Sequence, residues 1–227
     1  RLSLVGSEMC IRDSPRSKNT LTTIKNQFQT GTCWAFAALS CTESNLIQKG
    51  LENQNVQFSV PSLVLSTYAN GGFDESIWDC GGTWMDSSLA MAAHRGLCYD
   101  EYEPFVSDGT EATIVSEEKK GVCEYQLNYA STITGGRNAI KNKIKELGGV
   151  MVSYYADDLY MTFDNKSYYD PETTKYSGIN HAVSVVGWDD NYSKSNFLAG
   201  YQPKKNGAWL VKGSWGVSSG TDGYYWI

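Results

Sequence analysis

Two residues of this sequence are placed to do chemistry together, Cys33 and His181. Cys33 stands directly before Trp34-Ala35-Phe36 in the run "QFQTGTCWAFAALSCTES". From Trp34 to Lys49 apolar residues recur at helical spacing (Trp34, Ala37, Ala38, Cys41), and Gly50 falls where a C-terminal cap belongs. Cys33 is therefore expected at the N-terminus of a helix, where unpaired N–H groups and the positive end of the dipole favour thiolate over thiol. That reading predicts a lowered pKa and a nucleophilic sulfur; a buried structural cysteine is the alternative. The search for a base is short, because the chain has 2 histidines. His94 lies inside the helical run "SSLAMAAHRG" and reads as an ordinary residue near a helix C-terminus. His181 opens the apolar run "HAVSVVGW", and an ionisable group at the mouth of a buried strand is a candidate general base. No Cys-x-x-Cys or His-x-x-x-His pair accompanies them, so a thiol–imidazole site is better supported than a metal site, and no cofactor is implied.

The elements that must position these groups fall into two halves. After the cysteine helix, "FSVPSLVLSTYANGG" offers Ser59 as a cap and Pro61 for the first turn of a short helix stopping at Asn70-Gly71-Gly72. Next, "WDCGGTWMDSSLAMAAHRGL" gives a Gly-rich loop and a helix ending near Gly96. From about Tyr125 the pattern changes: "RNAIKNKIKELGG" puts Ile140, Ile144 and Leu147 on one helical face, and "VMVSYYA", "HAVSVVGW", "GAWLVKGSW" and "GYYWI" read as strands. A helical half followed by a β half predicts an α+β fold of two lobes, 15–124 carrying the cysteine and 125–227 carrying the histidine. Residues 1–14, "RLSLVGSEMCIRDS", have neither the apolar core of a signal peptide nor any periodicity, so they read as foreign sequence and are set aside. The β half reads as cut short at Ile227.

Composition narrows the function. The chain has 227 residues, 41% hydrophobic, with 7 Trp and 15 Tyr, enough apolar surface for a sizeable core. A net charge of -6 with 19 Lys plus Arg leaves no basic stripe for nucleic acid, and no apolar run approaches the roughly 20 residues of a membrane helix. Nucleic-acid and integral-membrane roles are not expected.

Gln27, Cys33-Trp34-Ala35-Phe36, Gly81-Gly82, "NHAVSVVGW" and "SWG", in that order, resemble the papain family of cysteine peptidases, with the cysteine near the mature N-terminus and the histidine far downstream. The resemblance runs from about Ile24 to Ile227, and the insert "DDNYSKSNFLAGYQPKKNGAWLVK" is more similar to bacterial, clostridial surface members than to plant or lysosomal ones. It implies a papain-like fold, a mainly helical lobe and an antiparallel β-barrel-like lobe with the cleft between them. It further implies a monomer, secreted or on a bacterial surface, that cleaves peptide bonds through a thiolate–imidazolium pair and an acyl-enzyme. Cys33 is then the nucleophile, His181 its partner, and Gln27, rather than the neighbouring Gln29, the side-chain donor to the oxyanion. Gly81 and Gly82 would edge the extended substrate, Trp84, Met85, Ser153 and Ile179 would line the specificity pocket, Asn180 would lie beside it, and Trp215 would shield the site from water.

The sequence departs from the family in two places. Thr30 and Ser66 stand where the mates of Cys80 and Cys123 would be, so Cys41, Cys80, Cys98 and Cys123 are left to pair in three ways or not at all. Gly213 stands where the family has the asparagine that orients the histidine. Asparagine placed there is expected to restore an acceptor and raise turnover, provided the backbone is not left-handed. The same gap keeps open a pseudo-peptidase that binds peptides or proteins. A Cys/His cell-wall amidase is disfavoured, since it accounts for neither Gln27 nor Ser-Trp-Gly.

Overall fold

The computed structural model describes residues 19–68, 81–92, 96–102, 104–107, 112–113, 125–172 and 178–227; the segment 1–14, the turn at 70–72, His94, Cys80 and Cys123 lie outside them. Its helices are α1 (Cys33–Gln48), α2 (Val60–Tyr68), α3 (Trp84–Ala92) and α4 (Arg137–Leu147). A short pair, β1 (Val106–Ser107) and β2 (Ala112–Thr113), stands apart from an antiparallel sheet of β3 (Val150–Tyr154), β4 (His181–Asp189), β5 (Ala208–Lys212) and β6 (Tyr224–Trp226), in that spatial order.

Local chemistry accounts for the boundaries. The chain leaves α1 through Gly50, whose φ of 70° suits glycine alone without strain. At the start of α2, Ser59 Oγ accepts the N–H of Ser62 at 3.0 Å. The start of α3 is closed reciprocally, Thr83 N–H to the Asp86 carboxylate at 2.8 Å and Asp86 N–H to Thr83 Oγ1 at 3.3 Å. The end of α4 is the left-handed Gly148, where a Cβ would also collide with Ser44 of α1.

Burial explains why α1 and β4 read as nearly unbroken apolar runs. Trp34 to Ser40 are buried on every side of α1, and all of β4 is buried. The strand alternates between two cores: Ala182 joins the helical one with Trp34, Phe58 and Val64, while Val183 and Val185 join Ile144, Val211 and Tyr225. The cysteine helix and the histidine strand are thus packed on each other.

The run before α1 fastens both halves. Gln27 donates its N–H to Ser214 O at 2.7 Å, and Gly216 donates to Lys25 O at 3.1 Å. Thr22 Oγ1 donates to Glu43 of α1 and accepts from Lys212 Nζ of β5 at 2.8 Å. Glu43 also accepts the Phe58 N–H at 2.9 Å, and Lys25 lies 3.8 Å from it. Burial lowers the Lys212 pKa and the Glu43 charge opposes that shift, which is why an ammonium and a carboxylate are tolerated here together. Of the cysteines left open by the sequence, Cys41 is free and partly buried, 3.1 Å from Ser184 Oγ. Cys98 is disulfide-bonded, its partner outside the described residues.

Candidate active site

The turn from Gln27 to Thr32 is held by its own polar groups. Thr30 donates its N–H (3.2 Å) and its hydroxyl (2.7 Å) to Gln27 O, and Gln27 Nε2 donates back to Thr30 O at 2.8 Å. Ser214 Oγ donates to Gln27 Oε1 at 2.5 Å, so both ends of this buried amide are fixed. One Nε2 N–H is committed to Thr30, and the second is left for a ligand oxygen. Phe28 follows at a left-handed φ of 51°, supported by its N–H donating to Asn26 Oδ1 at 2.9 Å.

Cys33 begins α1, as its sequence context requires, and its sulfur is half-exposed. Burial is the largest influence on the thiol and pushes its pKa up; the N–H groups of Ala182, Trp34 and Cys33 itself pull it down but are outweighed. The helix terminus supplies the donors foreseen from the sequence, yet desolvation reverses the net shift. Ala182 is the residue after His181, so the first N–H of β4 past the histidine serves the cysteine sulfur.

His181 is buried, and burial lowers its pKa to about 4. Its ring stacks on Trp215 with centroids 4.3 Å apart and planes 7° apart, and Tyr154, its cross-strand neighbour, presents a ring at 5.7 Å and 77°. Nε2 is buried and has no hydrogen-bond partner among the described residues. Each group alone therefore resists charging. The two groups meet the same obstacle, burial, from opposite directions, the thiol raised and the imidazole lowered.

Gly213 is not in the left-handed region, so the backbone condition for asparagine is met. Space is what opposes it: a Cβ there would lie 3.1 Å from Gly223 O and 3.2 Å from Cε1 of Tyr225. The gain expected from an added amide thus runs into the Tyr225 ring. The remaining positions divide by environment. Gly81 has open space around it and accepts the Tyr68 hydroxyl at 2.6 Å, whereas a Cβ on Gly82 would run into the Trp34 indole. Trp84, Met85, Ser153 and Ile179 are all exposed, so the core does not claim them. Asn180 spends its amide on the turn after β3, accepting from Ala156 N–H at 2.6 Å and donating to Ala156 O at 2.8 Å. Sequence reasoning overlooked Ser214, Tyr154, Tyr225 and the Glu43–Lys212 pair. Opposite charges isolated in the apolar runs "AALSCTESNL" and "AWLVKG" were a usable signal for the last of these.

With this geometry in hand, the family description "papain family cysteine protease" matches residues 10–227, beginning inside the 1–14 segment. The chain belongs to the papain family of cysteine proteases. Within it, mouse procathepsin L is 28% identical over 218 residues, covering 92% of this chain and 57% of the relative. Mouse cathepsin K is 28% identical over 210 residues, covering 92% of this chain and 56% of the relative. Among solved structures, the clostridial cysteine protease Cwp84 after propeptide cleavage superposes with a TM-score of 0.75 at 27% identity, covering 94% of this chain and 52% of that one. A structure of the protease and lectin-like domains of Cwp84, a surface layer associated protein of Clostridium difficile, gives 0.73 at 28% identity, over 94% and 46%. These likenesses bear out the papain-like α+β fold and the clostridial character read from the sequence. The chain spans about half the length of these relatives.

Proposed function

We propose that this chain is a cysteine peptidase in which Cys33 attacks the substrate carbonyl and His181 carries the proton. The carrying observation is the junction of α1 and β4, where the N–H of Ala182, the residue after His181, reaches the Cys33 sulfur. The thiolate adds to the carbonyl carbon while its oxygen gathers negative charge between the free Gln27 Nε2 N–H and the Cys33 N–H. His181 passes its proton to the departing amine, and the acyl-enzyme is then hydrolysed by water activated by the same imidazole. Gly81 and the exposed Trp84, Met85, Ser153 and Ile179 are available to an extended peptide; Asn180 contributes through its backbone, since its side chain is bound to Ala156.

The two cores support a division into a helical lobe up to residue 124 and a β-rich lobe after it. We infer a monomer acting outside the cell or at its surface. The disulfide at Cys98 suits an oxidising location, the Cwp84 likeness points the same way, and among the described residues no helix is long and apolar enough to cross a membrane. A thiol-directed epoxide tests the site: stoichiometric labelling that Cys33→Ala abolishes, with loss of fluorogenic-peptide hydrolysis in Cys33→Ala and near-complete loss in His181→Ala, is the expected result. Folded protein that neither labels nor hydrolyses sinks the peptidase reading and favours the peptide-binding one, for which the buried His181 Nε2, with no partner among the described residues, is the supporting observation.

A further inference from the structure

A side chain at 213 would project toward tyrosine. Tyr225 of β6 is fully buried, and its ring edge is the nearest side-chain atom to a Cβ built on Gly213. That ring lies 6.2 Å from Trp215 with planes 16° apart, and Trp215 in turn stacks on His181. The Tyr225 hydroxyl is 2.9 Å from the Tyr154 hydroxyl, and Tyr154 lies across the strand from His181 with its ring against the imidazole. Imidazole, indole and two phenols therefore form one closed set of contacts that spans β3, β4, β6 and the Ser-Trp-Gly turn. The set touches every side of the problem that residue 213 leaves open, except that it gives Nε2 no acceptor.

We propose that Tyr225 is the positioning residue for His181 in this chain, holding the imidazole by ring packing through Trp215 and Tyr154 in place of an acceptor at 213, and that its ring, together with Gly223 O, crowds any side chain there. This rests on the peptidase reading above. Two consequences follow from the chemistry. An imidazolium needs an acceptor for its Nε2 proton, so packing alone sets the ring's orientation without favouring its charged form. The side chains at 213 and 225 are also alternatives: a large ring at 225 forces a small residue at 213, and an amide at 213 needs a smaller residue at 225.

The test is a double-substitution cycle with Gly213→Asn introduced into the wild type, Tyr225→Phe and Tyr225→Val. Valine keeps the β propensity of the strand and removes the ring atoms nearest 213, whereas phenylalanine removes the hydroxyl only. Gly213→Asn is expected to leave turnover unchanged or lower it in the wild type and in Tyr225→Phe. In Tyr225→Val it is expected to raise kcat by about two- to tenfold with little change in KM, and to move the alkaline limb of the pH profile upward, as a restored neutral hydrogen bond would. The second readout needs no turnover. In Cys33→Ala protein, whose 2 histidines make the imidazole signals few, His181 is titrated by NMR. Burial holds its titratable neighbours Tyr154 and Tyr225, on β3 and β6, protonated far above the histidine range. The His181 midpoint should rise on adding Gly213→Asn to Tyr225→Val and stay near its starting value on adding it to the wild type. A gain of equal size in all backgrounds, or none in any, overturns the proposal. Should Tyr225→Val fail to fold, a gain from Gly213→Asn in the wild type or in Tyr225→Phe overturns it, and the absence of one in both supports it. Because the titration is read without catalysis, an inactive wild type would end the peptidase reading and leave this coupling measurable.

Discussion

The two sides of the cleft are held by different means. On the nucleophile side every polar atom of Gln27 has a partner or a free N–H aimed at chemistry, through Thr30, Ser214 and the strand-like pairing of Asn26 with Trp215. On the base side His181 has a buried nitrogen with no partner among the described residues and is held by two aromatic rings, Trp215 and Tyr154, with Tyr225 behind Trp215. Hydrogen bonds fix direction to within tens of degrees, whereas ring contacts fix a plane and leave charge unsatisfied. The Gln27 side is therefore fixed in direction, which on the peptidase reading suits it to a developing negative charge, and the His181 side holds a ring whose charging burial disfavours.

Substitutions sharpen the contrast. After the losses expected at Cys33 and His181 themselves, the largest effect is expected from Gln27→Ala, which on the peptidase reading removes an oxyanion donor and should lower kcat about 100- to 1,000-fold with a modest change in KM in steady-state kinetics. A loss under tenfold would mean that the backbone N–H of Cys33 does this work alone.

Next comes acid. The His181 pKa is depressed from 6.5 to about 4 by burial, so the unfolded chain binds the extra proton first as pH falls. The stabilisation from keeping His181 neutral is complete above about pH 6.5 and is lost as pH falls toward 4, with an upper size of about 3 kcal/mol. Melting curves of wild type and His181→Gln across that range should converge in their pH slope only if other groups dominate; the expectation is a steeper acid loss in the wild type.

The smallest effect is that of Ser214→Ala. It deletes the bond that aims Gln27 and should lower kcat by about three- to tenfold, the range of a neutral hydrogen bond of about 1 kcal/mol, without moving either limb of the pH profile. A shifted limb would show that Ser214 acts on His181 instead, and would erase the distinction between the two sides.

Much of this was legible in the chain itself. The start of α1, the caps at Ser59 and Gly148, and all four strands of the main sheet follow from local chemistry that each segment carries within itself. The places of Cys33 at a helix start and of His181 at the mouth of a buried strand were legible because the apolar runs that follow them mark those elements. What depends on burial or on a partner far along the chain was not. The sign of the Cys33 shift turns on desolvation, which a helix start does not reveal. Gly82 looks like a substrate-facing glycine until Trp34 is seen against it. Asn180 looks free until Ala156 folds back onto it, and Tyr154 and Tyr225 are two more strand tyrosines until β3 and β6 bring their hydroxyls together.

The run from Thr22 to Gln27 carries a further consequence. Its side chains reach Glu43 on one element and Lys212 on another, while its last residue holds the oxyanion donor against Ser214. A single nick in those few residues would free the donor and undo the fastening between helix and sheet in the same event. Proteolytic ageing of the molecule at this seam would be all-or-none: cut copies would lose function and shape together, and a partly digested sample would be a mixture of intact and dead molecules rather than a population of uniformly slower ones.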